Sequence, residues 1–228
     1  MNELPEAEQE RTPVPSFLRQ VARRRRPISD GAERCELCSA ELAPVHQHLL
    51  DPRKREIACS CDGCAVLFCG QPGAHYLRIP RRIRALADFQ MPNLQWESLM
   101  IPINLAFFYY DTAGGRMMAM YPSPAGAIES LLSLESWAEI AAQHPSLRTM
   151  EPDVETFLVN RVGATHEYYI VPIDECFHLV GLIRMHWRGL SGGAEVWKHI
   201  HEFFASLQAR STAVRESVAI QHSEPLHA

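Results

Sequence analysis

Lysine is almost missing from this 228-residue chain: among 22 basic residues, only Lys54 and Lys198 are lysines. Genome composition explains such a bias as well as any function does, so nothing is built on it. Long apolar runs are missing too. None approaches the roughly 20 residues that a helix needs to cross a bilayer, which excludes a helical span. The opening "MNELPEAEQERTPVPSFLRQVARRRR" lacks the basic-then-apolar order of a secretory signal. "PISDGAER" after the arginines lacks the apolar stretch of a twin-arginine signal. A cytoplasmic protein is expected. Neither a G-x-G-x-x-G nor a Walker pattern occurs, and no internal repeat is visible.

What is present describes a globular chain. Hydrophobic residues make up 46% and charged residues 21%, which separates the sequence from disordered compositions. The net charge of -5 is unevenly spread. Residues 1–90 hold 14 basic and 12 acidic groups, whereas residues 91–228 hold 8 and 15. Neither half is charged enough to argue for nucleic acid alone.

Cysteine supplies the sharpest signal. Six of the seven cysteines fall between Cys35 and Cys69, in "CELCSAEL" and "CSCDGCAVLFC". In a reducing compartment such clustering favours metal over disulfides. Cys35-x2-Cys38 and Cys61-x2-Cys64 are two metal knuckles separated by 22 residues, slightly beyond the usual interval of a four-cysteine zinc ribbon. Each C-x2-C turn aims two thiolates at one ion, and two knuckles complete a tetrahedron. The expected ligands are therefore Cys35, Cys38, Cys61 and Cys64, and the expected ion is zinc. Iron or an iron–sulfur cluster takes the same ligand set. A closed four-cysteine site makes a zinc structural, not catalytic. Cys59, Cys69 and His48 remain open as replacements for one of the four. His46 and His48 are read in preference as part of a strand, with His48 facing the core. Cys69 is read as a small hydrophobe or a surface thiol, and Cys176 as core.

The organisation along the chain follows. Residues 1–30, with the run Arg23–Arg26, are expected to be a mobile arm with at most a short helical turn in "SFLRQVA". Residues 31–75 form a zinc-ribbon-like metal module, too poor in apolar residues to fold on burial alone. Residues 76–95 are a connector in which Ile79, Ile83 and Leu86 stand at helical spacing, with Pro80 in the first turn. Residues 96–211 form an α+β domain, and residues 212–228 a mobile tail. The spacing predicts strands in "SLMIPINLAFFYYD" and "RMMAMYP", a helix over "SPAGAIESLLSLESWAEIAAQ", then strands in "ETFLVNRV", "HEYYIVPI" and "CFHLVGLIRMHW". An amphipathic helix, "GGAEVWKHIHEFFASLQAR", closes the order ββαβββα. The fold class is thus α+β, a mainly antiparallel sheet with helices on one face.

No catalytic residue is assigned. Cys176 and His178 would share a strand face, but no oxyanion hole or orienting acid accompanies them. "HWRGLSGG" is read as a strand-to-helix loop with Ser191 capping the last helix, not as an anion site.

Six blocks together carry a resemblance: "RCELCSAELAPVHQHLLD", "ACSCDGCAVLF", "IPINLAFFYY", "MYPSPAGAIESLL", "VNRV" and "EYYIVPIDECFHLVGLIRMHWRGLSGGAEVW". In this order the chain resembles, over roughly residues 33–210, a bacterial domain-of-unknown-function family whose genes accompany those of high-affinity, actinobacterial-type NiFe hydrogenases. The resemblance brings no activity and no site residue with a role. It implies a context of hydrogen oxidation, with a hydrogenase subunit or maturation factor as the partner. The leading expectation is a non-enzymatic, metal-binding accessory or assembly factor acting by protein–protein contact. Two alternatives are an iron or iron–sulfur redox protein serving the hydrogenase and a zinc-ribbon regulator that binds nucleic acid. The run Arg23–Arg26 and the basic residues at 53–55 and 78–84 favour the regulator, but seven interleaved acids over residues 31–90 and scarce aromatics argue against it.

Overall fold

The run "LAFFYY" has no polar alternation because both of its faces are covered. In the computed structural model, which describes residues 32–71, 73–130 and 134–215, this run is an interior strand of a seven-stranded sheet. The strands are β4 (Arg84–Leu86), β5 (Leu105–Asp111), β6 (Arg116–Ser123), β7 (Gly126–Ser130), β8 (Glu155–Asn160), β9 (Glu167–Pro172) and β10 (Thr212–Val214). Their order is β10-β4-β9-β8-β5-β6-β7, antiparallel throughout except for the β10–β4 pair.

Side chains on a strand point alternately to opposite faces. Phe107 and Tyr109, with Leu158, Tyr169 and Val171, therefore reach one layer. There they meet helix α4 (Ile173–His186) and helix α5 (Gly193–Arg210). Phe108, Phe157, Val159, Tyr168 and Ile170 reach the opposite layer. That layer contains Trp96 and Leu99 around helix α2 (Asn93–Ser98) and Trp137 and Ile140 of helix α3 (Leu134–Gln143). The α+β class and the antiparallel sheet are as the sequence reading has them, but helices cover both faces, not one. Each fully buried Phe contributes about 1.5–3 kcal/mol of transfer free energy, so the double-sided sheet is the main source of stability.

Several element expectations are corrected. "CFHLVGLIRMHW" is helix α4 and not a strand. Its buried residues Ile173, Cys176, Leu179, Val180 and Ile183 follow helical spacing. Asp174 and Glu175 sit in the first turn and Arg184 and His186 in the last, matching the helix dipole. The expected helix over 123–143 divides: Gly126–Ser130 pairs with β6 as a hairpin strand, and only Leu134–Gln143 is helical. The connector holds strands in place of the expected helix. Leu77–Arg78 is β3, and Ile79 continues along β1 through its N–H to His48 O at 3.0 Å. A residue before proline is biased away from helix, which Ile79-Pro80 obeys. The helix α5 cap is Gly192 and not Ser191. Gly192 has φ +87°, and a Cβ there would come within 2.8 Å of Val196 Cγ1. The segment expected as a mobile tail begins with β10. The expected arm, with Arg23–Arg26 and "SFLRQVA", lies outside the described residues, as do residues 216–228.

The cysteine-rich segment carries a second, three-stranded sheet of order β2-β1-β3, with β1 at Gln47–Asp51 and β2 at Glu56–Ser60. Helix α1 (Asp62–Phe68) follows. Two side-chain pairs are among the contacts that tie this hairpin to the rest of the chain. Arg55 at its turn pairs with buried Asp111, and His48 Nδ1 lies 2.6 Å from Asp174 Oδ2 at the start of α4. On the connector, Arg82 and Arg84 grip Glu155, a fully buried carboxylate, at 2.8 and 2.9 Å.

Candidate metal centre

Two local turns build the centre. At the first, Ser39 N–H donates to Cys35 O at 2.7 Å and Cys35 N–H to Ala40 O at 2.8 Å. Ser39 takes the left-handed conformation, φ 61°, that closes this turn. At the second, Cys61 caps helix α1, and its sulfur accepts the Cys64 N–H at 3.4 Å. Glu36 joins the turns: its N–H reaches Cys59 O at 2.9 Å, and its carboxylate accepts the Cys59 N–H at 2.8 Å.

The result brings Cys35, Cys38, Cys61 and Cys64 together, with their four sulfurs all within 4.8 Å of one another. None forms a disulfide. Cys38 Sγ and Cys61 Sγ are 3.7 Å apart. A tetrahedral ion with sulfur at about 2.3 Å has an S–S edge of about 3.8 Å. The pair is thus at coordination spacing and far beyond bonding distance. Cys35 and Cys64 are buried, whereas Cys38 is exposed, so the centre has one closed and one open side.

The thiols of Cys35, Cys38 and Cys64 differ in how readily they ionise. Burial opposes ionisation of Cys35, but backbone N–H groups of Cys61, Cys38 and Leu37 outweigh it and bring this thiol down to about 6. Burial and the neighbouring sulfurs of Cys38, Cys61 and Cys35 push the Cys64 thiol up. Cys38 receives the Ala40 N–H, which favours its thiolate, yet the Cys35 and Cys61 sulfurs leave it raised. One thiolate forms readily and then hinders the others, because like charges at this spacing repel. A divalent cation would relieve that conflict, and the four cysteines could hold one.

The other expected residues separate from this group. Cys69 lies at the far end of α1 with its thiol raised by burial, outside the four-sulfur group. His48 does not face the core: its ring is one-third exposed and hydrogen-bonded to Asp174. It groups with His46 and Cys59, not with the four cysteines. Cys176 is core, 3.0 Å from Thr156 Oγ1, and burial pushes its thiol up. His178 lies on the exposed side of the same helix, against the edge of the Phe203 ring. A helix turns two-apart residues away from each other, so these two form no nucleophile pair. Sequence reasoning did not find a third group, His186 with Glu195 and His199, because it depends on how α4 and α5 pack. Glu195 and His199 stand four apart on α5, the one local hint.

Comparison with known proteins gives the family. The chain belongs to a family of unknown function (DUF5947), which matches residues 34–211. No curated protein and no solved structure matches it.

Proposed function

We propose that this member of a family of unknown function binds one zinc ion through Cys35, Cys38, Cys61 and Cys64 and acts by protein–protein contact, without a reaction of its own. The observation that carries the reading is the convergence of four sulfurs from two separate turns to coordination spacing. Four thiolates fill a tetrahedron, so the ion shapes residues 31–75 as a module and leaves no position for substrate. The contact role is supported by helix α1. Directly after Cys64 and Ala65 it exposes Val66, Leu67 and Phe68, at 67%, 67% and 46%. Three neighbouring apolar side chains held in solvent beside a metal centre suit a partner surface.

The partner we propose is a subunit or maturation factor of a NiFe hydrogenase, which rests on the sequence resemblance. The nucleic-acid alternative loses some support because three of the basic residues that favour it are held in ion pairs. Arg55 pairs with Asp111, and Arg82 and Arg84 pair with Glu155.

Metal analysis of anaerobically purified protein, with the Cys38→Ser variant beside it, tests the metal part. The expected result is colourless protein that loses one sulfur-only zinc on substitution. Retention of that zinc would remove Cys38 from the ligand set, and visible absorption together with iron in the metal analysis would assign iron. For the partner, deleting the gene should lower hydrogen uptake while hydrogenase transcripts persist. A tagged copy should recover a hydrogenase component, and Leu67→Ser with Phe68→Ser should weaken that recovery without metal loss. Unchanged uptake, with the hydrogenase limiting, would defeat the partner assignment.

A further inference from the structure

His46, just before β1, and His48, on it, meet a third donor across the hairpin. The antiparallel register sets Cys59 of β2 directly opposite His48 of β1. The ligand atoms of the three residues lie within 4.8 Å of one another. The two Nε2 atoms are 3.2 Å apart.

The outer nitrogens decide what lies between the rings. His46 Nδ1 is 3.0 Å from Ala43 O, a carbonyl that can only accept, so this nitrogen carries hydrogen. His48 Nδ1 is 2.6 Å from Asp174 Oδ2, and a carboxylate likewise accepts. With both outer nitrogens donating, the two Nε2 atoms face each other and can both ligate one ion. A metal at this point also takes the sulfur of Cys59, which a proton shared between the rings does not. With nitrogen at about 2.0–2.1 Å, a tetrahedral site has an N–N edge of about 3.3 Å, and the observed 3.2 Å is close to it.

The surroundings are those of a ligating histidine. Such a ring usually donates its second N–H to a carboxylate or a backbone carbonyl, which fixes its orientation and raises its basicity. Asp174 and Ala43 O fill those two roles. Asp174 is itself held, since its Oδ1 accepts the Glu175 N–H at 3.0 Å. Cys59 is pinned on both sides of its backbone by Glu36.

We propose that His46, His48 and Cys59 form a second metal site, separate from the four-cysteine centre, for a late divalent transition ion. Two imidazoles and a thiolate select zinc, cobalt, nickel or copper over magnesium or calcium. The described residues supply three ligands, so the fourth position of a tetrahedron falls to water or another donor. Asp174 is a positioning residue for His48.

The test uses the full chain, stripped of metal under anaerobic reducing conditions and titrated with cobalt(II) and then zinc(II). Wild type should take up two equivalents. His46→Ala with His48→Ala should take up one, bound through sulfur alone. Cys38→Ser should keep one, with an X-ray absorption spectrum of mixed nitrogen and sulfur. Asp174→Asn, which removes no ligand, should weaken the second equivalent 10–100-fold and leave the first unchanged. Circular dichroism of each metal-free protein checks the fold. One equivalent in wild type bound through sulfur alone, or two in a folded double histidine variant, would overturn the second site. One equivalent in wild type bound through mixed nitrogen and sulfur would count against the four-cysteine centre instead, so the two proposals fail separately.

Discussion

Removing the carboxylate of Glu155, the β8 residue that holds the connector arginines, should destabilise the protein markedly. Glu155 is fully buried and accepts from Arg82 Nε at 2.8 Å, Arg84 Nη2 at 2.9 Å and the Glu151 N–H at 2.9 Å. The two arginines differ in exposure: the side chain of Arg82 is 50% exposed and that of Arg84 18%. In Glu155→Leu, water can rehydrate Arg82, but Arg84 is left as a largely buried charge. Breaking a buried pair on one side costs about 3–5 kcal/mol, and discounting the screened Arg82 share leaves about 3 kcal/mol. For a chain of this size that is a fall in Tm of roughly 6–12 °C. Urea unfolding followed by tryptophan fluorescence gives the free energy. Adding Arg84→Met removes the stranded charge, so the double variant should recover most of the loss. Burial raises the Glu155 carboxyl, but the Arg82 side chain, the Glu151 N–H and the Arg84 charge outweigh it and hold it below its usual range. Its contribution is therefore complete above the unfolded value of about 4.3 and is lost as pH falls through the folded value. A cost below about 1 kcal/mol for Glu155→Leu, or simple additivity in the double variant, would refute the reasoning.

Three further outcomes can be measured. Gly192→Ala should cost roughly 1–3 kcal/mol in thermal unfolding, because it adds a Cβ at positive φ against Val196 and Trp187. Burial raises the Glu175 carboxyl, yet His178 and Arg210 bring it down to about 2, so its stabilisation, on the order of 2 kcal/mol after screening, should be present above about pH 4.3 and lost toward pH 2; Glu175→Gln should flatten that limb of the stability profile. Chelation should open residues 31–75 to protease while tryptophan fluorescence of the large sheet persists, since that sheet has its own two-layered core.

The four-cysteine centre was legible because each knuckle is a three-residue spacing that survives without tertiary knowledge. Strands β5, β6, β8 and β9 were legible as apolar runs bounded by turn residues. Helix α4 was not: its apolar residues are dense enough to read as a buried strand, and only the 14-residue length and the charges at its ends point to a helix. Gly126–Ser130 was absorbed into the following helix because its hairpin partner, not its own composition, makes it a strand. The His46, His48 and Cys59 group was half visible. Period two places the histidines together, but the opposing cysteine depends on hairpin register and the supporting Asp174 lies 126 positions away.

The parallel pairing of β10 with β4 closes a circuit. Thr212 stands opposite Arg84 and Val214 opposite Leu86, so the chain enters and leaves the large sheet along one edge. Because the two strands run the same way, the exit at Val214 lies at the opposite end of the pair from the entry at Arg84, and rejoining them takes a linker that runs back over the edge. A circular permutant that begins in the Asp111–Arg116 turn, with β10 joined to β4 by a crossover linker of about a dozen residues, should keep the sheet order while freeing the cysteine module to be attached at a different point.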